Sequence, residues 1–344
     1  MRISLITGIN GQDGSYLAEL LLDKNYIVYG LVRKSSNITT QKIDHIYDHP
    51  NLHLKYGDLL DFGSIFDILY EIKQKKPSII EIYNLGAQSH VKVSFDMPIL
   101  TSQIDALGPL NILEAIRKCK LEKISKFYQA STSELYGEIL ETPQNEKTPF
   151  NPQSPYACAK LYAYWITINY RKAYNLYTCN GILFNHESSR RAPTFVTKKI
   201  TKGVAKISKN KQDCIILGNL DAKRDWGHAK DYVLAMWKMM QLDTPQDFVI
   251  SSDSCYSVRE FVEKTFKHIN IDIKWKGSGV NEVGYDSKDE TRTLIKISPK
   301  YFRPAEVNLL IGNSSKARKE LNWKPTFDID TLITEMITYD LDNE

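Results

Sequence analysis

A doubly wound α/β fold, a parallel sheet covered on both faces with a smaller C-terminal lobe beside it, is what this sequence predicts. Three observations predict it. Short apolar runs alternate with amphipathic stretches through the first half, a glycine-punctuated turn follows the first run, and the rhythm breaks after Asn185. Strand-length and helix-length segments in alternation imply right-handed crossovers and parallel neighbours.

Taken in order, strands are expected at 3–7, 26–32, 52–56, 79–85, 126–131 and 177–184, with helices at 15–24, 62–73, 101–120 and 156–174 between them. These make residues 1–185 a Rossmann domain for a dinucleotide. Helical periodicity recurs at 194–209, 228–242 and 258–269, the Pro- and Gly-punctuated stretch 275–304 reads mostly as loop, and a helix pair ends the chain. Residues 186–344 are therefore expected to form mainly a smaller substrate-binding lobe over the carboxyl ends of the strands, where a ligand crevice forms. The segment 228–252 is expected to return to the first domain.

The composition excludes several classes. With 344 residues, 42% apolar and 25% charged, the chain suits one large or two intimate globular domains. It has no run of roughly 18 apolar residues, so no membrane span is expected. The N-terminus enters the first strand directly, so no leader peptide is expected, and a cytoplasmic location follows. Five scattered cysteines without a CxxC pair suggest neither disulfides nor a metal site. The net charge of +4 suits an anionic small molecule. The densest basic stretch, 198–211, has no interleaved aromatic residue, so nucleic acid is not an expected partner.

Gly8-Ile9-Asn10-Gly11-Gln12-Asp13-Gly14 lies between the first strand and its helix. Glycines there permit a tight turn, close approach of backbone to a pyrophosphate, and close packing of helix on strand. The helix N-terminus adds free N–H groups and a positive dipole. The second strand ends Leu31-Val32-Arg33-Lys34-Ser35-Ser36, with cations and hydroxyls where an NAD-binding protein carries a carboxylate. That pattern favours NADP, with Arg33 on the 2′-phosphate. Asp58 and Leu59, ending the third strand, are expected beside the adenine.

Tyr156-Ala157-Cys158-Ala159-Lys160 puts a phenol and an amine one helical turn apart. In a chain with 20 Tyr that spacing is expected by chance, so position carries the weight. The pair follows a Pro-rich helix start within the dinucleotide-binding half. A phenol is a poor base near neutral pH unless a cation supports its phenolate, and Lys160 is placed to do this. Thr132, ending the fifth strand, can hydrogen-bond the reacting hydroxyl. Glu134 supplies a second base of the kind an elimination next to a carbonyl requires.

Several stretches together resemble the GDP-mannose 4,6-dehydratase family of extended short-chain dehydrogenases: the TGINGQDGSYLAELLL start, NLGAQSHVKVSF within 83–95, STSELYG, SPYACAK, NHESSRRA, RDWGHAKDYV and YFRPAEV. The resemblance spans essentially the whole length. It implies that Tyr156, helped by Thr132, takes the C4 hydroxyl proton while NADP takes the hydride, that Glu134 removes the C5 proton as water leaves from C6, and that the hydride returns to C6. It also implies GDP-mannose as substrate, cofactor contacts at Leu85, Gly86, Ala87, Gln88, Ser89, Lys160, His186 and Arg191, and nucleotide-sugar contacts at Asn185, Lys199, Arg224, Arg303 and Glu306. A homodimer or homotetramer follows from the same likeness. The chain departs from the family pattern at Ser189, Ala192, Leu100 and Lys34. Rival readings are another nucleotide-sugar dehydratase or epimerase of this fold, and a non-catalytic NADP-binding regulatory protein.

Overall fold

The computed structural model describes residues 1–37, 39–301 and 309–344. Its first half runs β1 (Arg2–Thr7), α1 (Gln12–Asp23), β2 (Ile27–Val32), β3 (Leu52–Tyr56), α2 (Phe62–Gln74), β4 (Ile79–Asn84), α3 (Val91–Asp96), α4 (Pro98–Ser102), α5 (Gly108–Lys118), β5 (Ser125–Thr132), α6 (Pro155–Tyr174) and β6 (Tyr177–Leu183). Then follow β7 (Asn185–Glu187), α7 (Val196–Ser208), β8 (Ile215–Leu217), β9 (Lys223–Arg224), β10 (Trp226–His228), α8 (Ala229–Met240), β11 (Phe248–Ile250), β12 (Tyr256–Ser257) and α9 (Val258–Lys267). The chain closes with β13 (Ile273–Lys276), β14 (Val283–Asp286), β15 (Asp289–Ile297), β16 (Leu309–Leu310), α10 (Ser315–Glu320) and α11 (Ile329–Asn343).

Seven parallel strands form the main sheet in the order β11-β6-β5-β4-β1-β2-β3. This is the predicted Rossmann-type α/β sheet, and its direction of winding reverses between β1 and β4. Buried strands read as near-continuous apolar runs because both faces are covered. Leu17 and Leu21 of α1 join Met236 and Met239 of α8 in one core cluster. Ile65 and Leu69 of α2 join Ile112 and Ile116 of α5 in another. Each such side chain contributes about 1.5–3 kcal/mol by leaving water. Thus α8 and β11, both late in sequence, cover and extend the first sheet.

A separate cluster unites Val204 of α7, Phe261 of α9 and Ile333 of α11 beneath the four-stranded sheet β13-β14-β15-β8. Here the expectation of loop over 275–304 fails. Strands β13, β14 and β15 span much of that stretch, and β15 is exposed over its first half, so its apolar alternation is masked by Asp289, Glu290 and Arg292.

A second difference lies in the expected helix 101–120. It is broken into α4, a π-helical turn at Gln103–Leu107, and α5. Pro109 has no N–H to give the carbonyl four residues back, that of Asp105, so the regular ladder cannot pass this point. π turns of this kind recur at functional sites.

Candidate active site

A cleft of about 1350 Å3 opens at the carboxyl ends of the strands. Three chain turns build its floor. The turn after β1 needs glycine twice: Gly8 has φ +69° and its missing Cβ would stand 2.9 Å from the Gly86 backbone, while a Cβ on Gly14 would meet the Gly8 carbonyl oxygen at 2.2 Å. Gly11 differs. Within 4 Å its Cβ would meet only the Gly8 carbonyl oxygen at 3.1 Å, and Gly11 lines the cleft. No side chain caps the start of α1. An uncapped helix N-terminus behind a bare backbone fits a dinucleotide pyrophosphate. At the end of β1, the Thr7 hydroxyl accepts from the Leu85 and Gly86 amides at 3.1 and 3.0 Å, fixing the turn after β4 against the first.

Asn10, Gln12, Asp13, Arg33, Asp58, Leu59, Leu85, Ala87 and Ser89 also border this end of the cleft. Ser35 and Thr39 add hydroxyls beside Arg33, whereas Lys34 is exposed and Leu100 does not line the cleft. Two expected cofactor contacts have other geometry. Gln88 does not line the cleft: its side chain turns back to the His90 amide at 2.9 Å and Thr101 at 3.1 Å. His186 lines the cleft and is tied to the glycine turn, with Nε2 2.7 Å from Asp13 and Nδ1 2.8 Å from the Phe184 carbonyl. Both ring nitrogens face acceptors, which only the imidazolium satisfies with two donors. Burial alone would lower its pKa, but the Asp13 carboxylate outweighs this and the net shift is upward. Burial likewise opposes the Asp13 charge, and His186 turns the balance downward.

The four candidate reacting residues meet at the junction of β5 and α6. Ser154 caps α6 by accepting from the Ala157 amide at 3.1 Å, with Pro155 in the first turn. That start sets Tyr156 (7% exposed) and Lys160 (4%) into the wall of the cleft. Glu134, 8% exposed, lies on the short turn Ser133–Leu135, where its amide donates to the Thr132 hydroxyl at 3.2 Å. The Tyr156 phenol is pushed above its ordinary range by burial first and by the Asp105 charge second, while the neighbouring Thr132 hydroxyl opposes the rise. Lys160 donates a hydrogen bond to the Ala130 carbonyl at 3.1 Å, and burial lowers its pKa. The chain alone therefore does not produce the phenolate-favouring site that the Tyr–Lys spacing suggested.

Asp105 is a group that the sequence reading missed. It is 1% exposed, carried on the π turn, and accepts from the Gln88 amide at 2.7 Å. Burial pushes its carboxyl up to about 6, against the pull of Lys160. The signal was present: Asp105 is the lone charged residue between Asp96 and Glu114.

At the far end stand Asn185, Lys199 and Arg224. Lys199 Nζ sits 3.4 Å from the centroid of the Tyr301 ring, and Arg224, buried at 6%, donates to the Lys223 carbonyl at 2.9 Å. Arg303 and Glu306 lie outside the described residues. Arg191 also borders the cleft, beside Glu187 at 2.9 Å and over the Phe195 ring at 3.7 Å. Leu217, Asn219, Ala222, Val258 and Pro299 widen this end and were not anticipated, because they sit on separated short elements. Among the described residues, no helix is long and apolar enough to cross a membrane and no His/Cys/Asp/Glu group could hold a metal.

The loop after β7 is anchored from α11. The Ser189 hydroxyl and amide donate to one oxygen of Glu335 at 3.1 and 3.3 Å, and His228 meets the other at 2.9 Å. Burial opposes the Glu335 charge, but His228 and Ser189 together hold the carboxyl down at about 2. A depressed carboxylate stabilises the fold above its unfolded value, here ordinarily 4.5, and that contribution fades as pH falls toward about 2. Glu335→Gln is expected to cost about 2 kcal/mol of stability at pH 7. Urea unfolding should show the gap from wild type closing between pH 4.5 and 2; a gap that stays constant with pH would contradict this anchoring.

Sheet order, glycine turn and Tyr–Lys helix together define the class: a short-chain dehydrogenase/reductase of the extended kind. The same fold is present in dTDP-glucose 4,6-dehydratase from Bacillus anthracis in complex with NAD (TM-score 0.80, 21% identity, 100% of this chain and 98% of that one). It is also present in RMD from Pseudomonas aeruginosa complexed with NADPH (TM-score 0.76, 19% identity, 99% and 100%). Residues 5–336 match the family described as GDP-mannose 4,6 dehydratase. The chain is 56% identical to GDP-mannose 4,6 dehydratase of Drosophila melanogaster over 99% of its own length and 86% of that protein. It is 54% identical to that of Homo sapiens (99% and 91%) and 52% to that of Vibrio cholerae (98% and 93%). The chain belongs to the GDP-mannose 4,6-dehydratase family and is an enzyme of that type.

Proposed function

We propose that this enzyme dehydrates GDP-mannose to GDP-4-keto-6-deoxymannose with tightly held NADP, acting as a homo-oligomer. The observation that carries the reading is the meeting of Thr132, Glu134, Tyr156 and Lys160 in one cleft with the glycine turn, in a chain more than half identical to named GDP-mannose dehydratases. Gly8, Gly11, Gly14 and the start of α1 would hold the pyrophosphate, and Arg33 with Ser35 and Thr39 the 2′-phosphate. When bound, oxidised NADP supplies a positive ring that favours the Tyr156 phenolate and a hydride acceptor for C4 that later gives the hydride back at C6.

Tyr156 takes the proton of the C4 hydroxyl, with Thr132 holding that oxygen in line. Lys160 holds the ribose and keeps a cation beside the phenol. The resulting 4-ketone acidifies the C5 proton. Glu134, on a turn where its own amide hydrogen-bonds Thr132, removes that proton and passes it to the C6 hydroxyl, which leaves as water and leaves a C5–C6 double bond beside the ketone; hydride return to C6 is then balanced by a proton taken up at C5. Lys199 and Arg224 supply cations for the diphosphate, and Asn185 borders the sugar end. β7 and the 193–197 segment line the cleft around this site.

Purified protein incubated with GDP-mannose is expected to return a product lighter by one water, with NADP rather than NAD released on denaturation. Unchanged GDP-mannose alongside conversion of another nucleotide sugar would overturn the substrate, and recovery of NAD would overturn the cofactor.

A further inference from the structure

β9 is the middle strand of a three-stranded ribbon, with β12 on one side and β16 on the other, and it ends on Arg224 in the cleft wall. The next residue, Asp225, is fully buried, and its carboxylate ties down the chain on both sides of that strand. One oxygen accepts from the Ser252 amide at 2.8 Å and from the Ser252 hydroxyl at 2.6 Å. The other accepts from the Asp253 amide at 3.0 Å and, in a longer bond, from the Gly312 amide at 3.4 Å. Ser252 and Asp253 lead into β12, and Gly312 follows β16. The segments fit closely. Asp253 donates to Asp225 from a left-handed backbone conformation, φ +60°, and a Cβ on Gly312 would stand 2.4 Å from the Ser251 Cβ. A buried carboxylate is costly unless its lone pairs are filled, and four donors fill these.

Resting on the dehydratase reading above, in which Arg224 meets the diphosphate, we propose that Asp225 is a positioning residue for the nucleotide sugar and acts through Arg224. It fixes the strands that flank β9, and so sets where the guanidinium stands. The register shows the route. Arg224 pairs with Tyr256 of β12 and with Leu310 of β16, while Asp225 holds the segment leading into the first and the segment leaving the second. The Asp225 amide adds a main-chain bond to the Leu310 carbonyl at 3.1 Å. A guanidinium meets phosphate through a planar fork, so its placement matters more than that of a point charge such as Lys199. Tyr156 and Lys160 are carried by α6, and the glycine turn by β1 and α1, all outside this ribbon. Loosening it therefore acts on substrate binding and leaves the chemistry and the cofactor in place.

The test is a double-mutant cycle between Asp225→Asn and Arg224→Ala, read in the holoenzyme at about pH 8, above the value of about 7 to which burial pushes the Asp225 carboxyl. Asp225→Asn alone should raise the KM for GDP-mannose about tenfold, the lower end of what a charge-assisted bond contributes, with kcat and bound NADP within about twofold of wild type. In the Arg224→Ala background the same change should move KM by less than about twofold. Ser252→Ala removes one donor from the knot and leaves Asp225 in place. It should raise KM about threefold, again only while Arg224 is present, and it decides the matter if the Asn variant does not fold. An unchanged KM in the variants that fold, or a rise by the same factor with and without Arg224, would overturn the positioning role. A wild-type enzyme that ignores GDP-mannose would instead defeat the functional reading. The same cycle is then read as the dissociation constant of GDP, which needs only the diphosphate site, and a wild type that binds no GDP overturns the inference as well.

Discussion

Tyr156→Phe is expected to lower kcat about 10³-fold, within the range a positioned acid–base group supplies. The change removes one oxygen from a ring that is 7% exposed, leaves the Ser154 cap of α6 intact and leaves Lys160 bonded to Ala130. Bound NADP and thermal stability should therefore stay close to wild type. The loss should fall on every step, because without a base at the C4 hydroxyl no ketone forms and the C5 proton never becomes acidic. Steady-state kinetics with a cofactor-content measurement checks this. A variant retaining a tenth or more of the wild-type kcat would remove Tyr156 from the role of base.

Glu134→Gln is the second large effect. The amide keeps the shape of the carboxyl on its short turn and keeps the Glu134 backbone bond to Thr132. It cannot accept the C5 proton, so water loss should fall about 10³-fold. Cofactor and GDP-mannose binding should persist, which separates this variant from one that fails to assemble the site. In deuterated water the wild-type product should carry solvent deuterium at C5, and the Gln variant should form almost none of that product. Dehydration near the wild-type rate would assign the elimination to another base.

What could be read in the sequence follows the range of the interactions involved. The sheet was legible because β1, β2 and β4 are buried on both faces and so are written as apolar runs, and because the glycine turn has backbone requirements that few residues meet. The convergence of Thr132, Glu134, Tyr156 and Lys160 on one cleft was legible because they stand at the ends of such regular elements. The four-stranded sheet of the second lobe was not, because β15 pairs across the chain to β8 and half of it faces solvent. Gln88 was assigned to the cofactor from its neighbours in the motif, whereas its side chain holds the turn from inside. His186 and Asp13 were expected as two cofactor contacts, and the structure shows them as one ion pair across 173 residues. Asp105 escaped for the same reason: its meaning depends on a helix break at Pro109 and on the Gln88 amide, 17 positions earlier. Local pattern writes elements and turns; partners brought together by the tertiary fold leave only a lone charge in an apolar stretch.

The central claim is that one bound NADP moves a hydride within a single sugar while water is lost. GDP-mannose carrying deuterium at C4 tests it most directly. The account predicts a product lighter by one water with the deuterium retained at C6. Deuterium found at C4 of an undehydrated sugar, or lost to solvent, would contradict it.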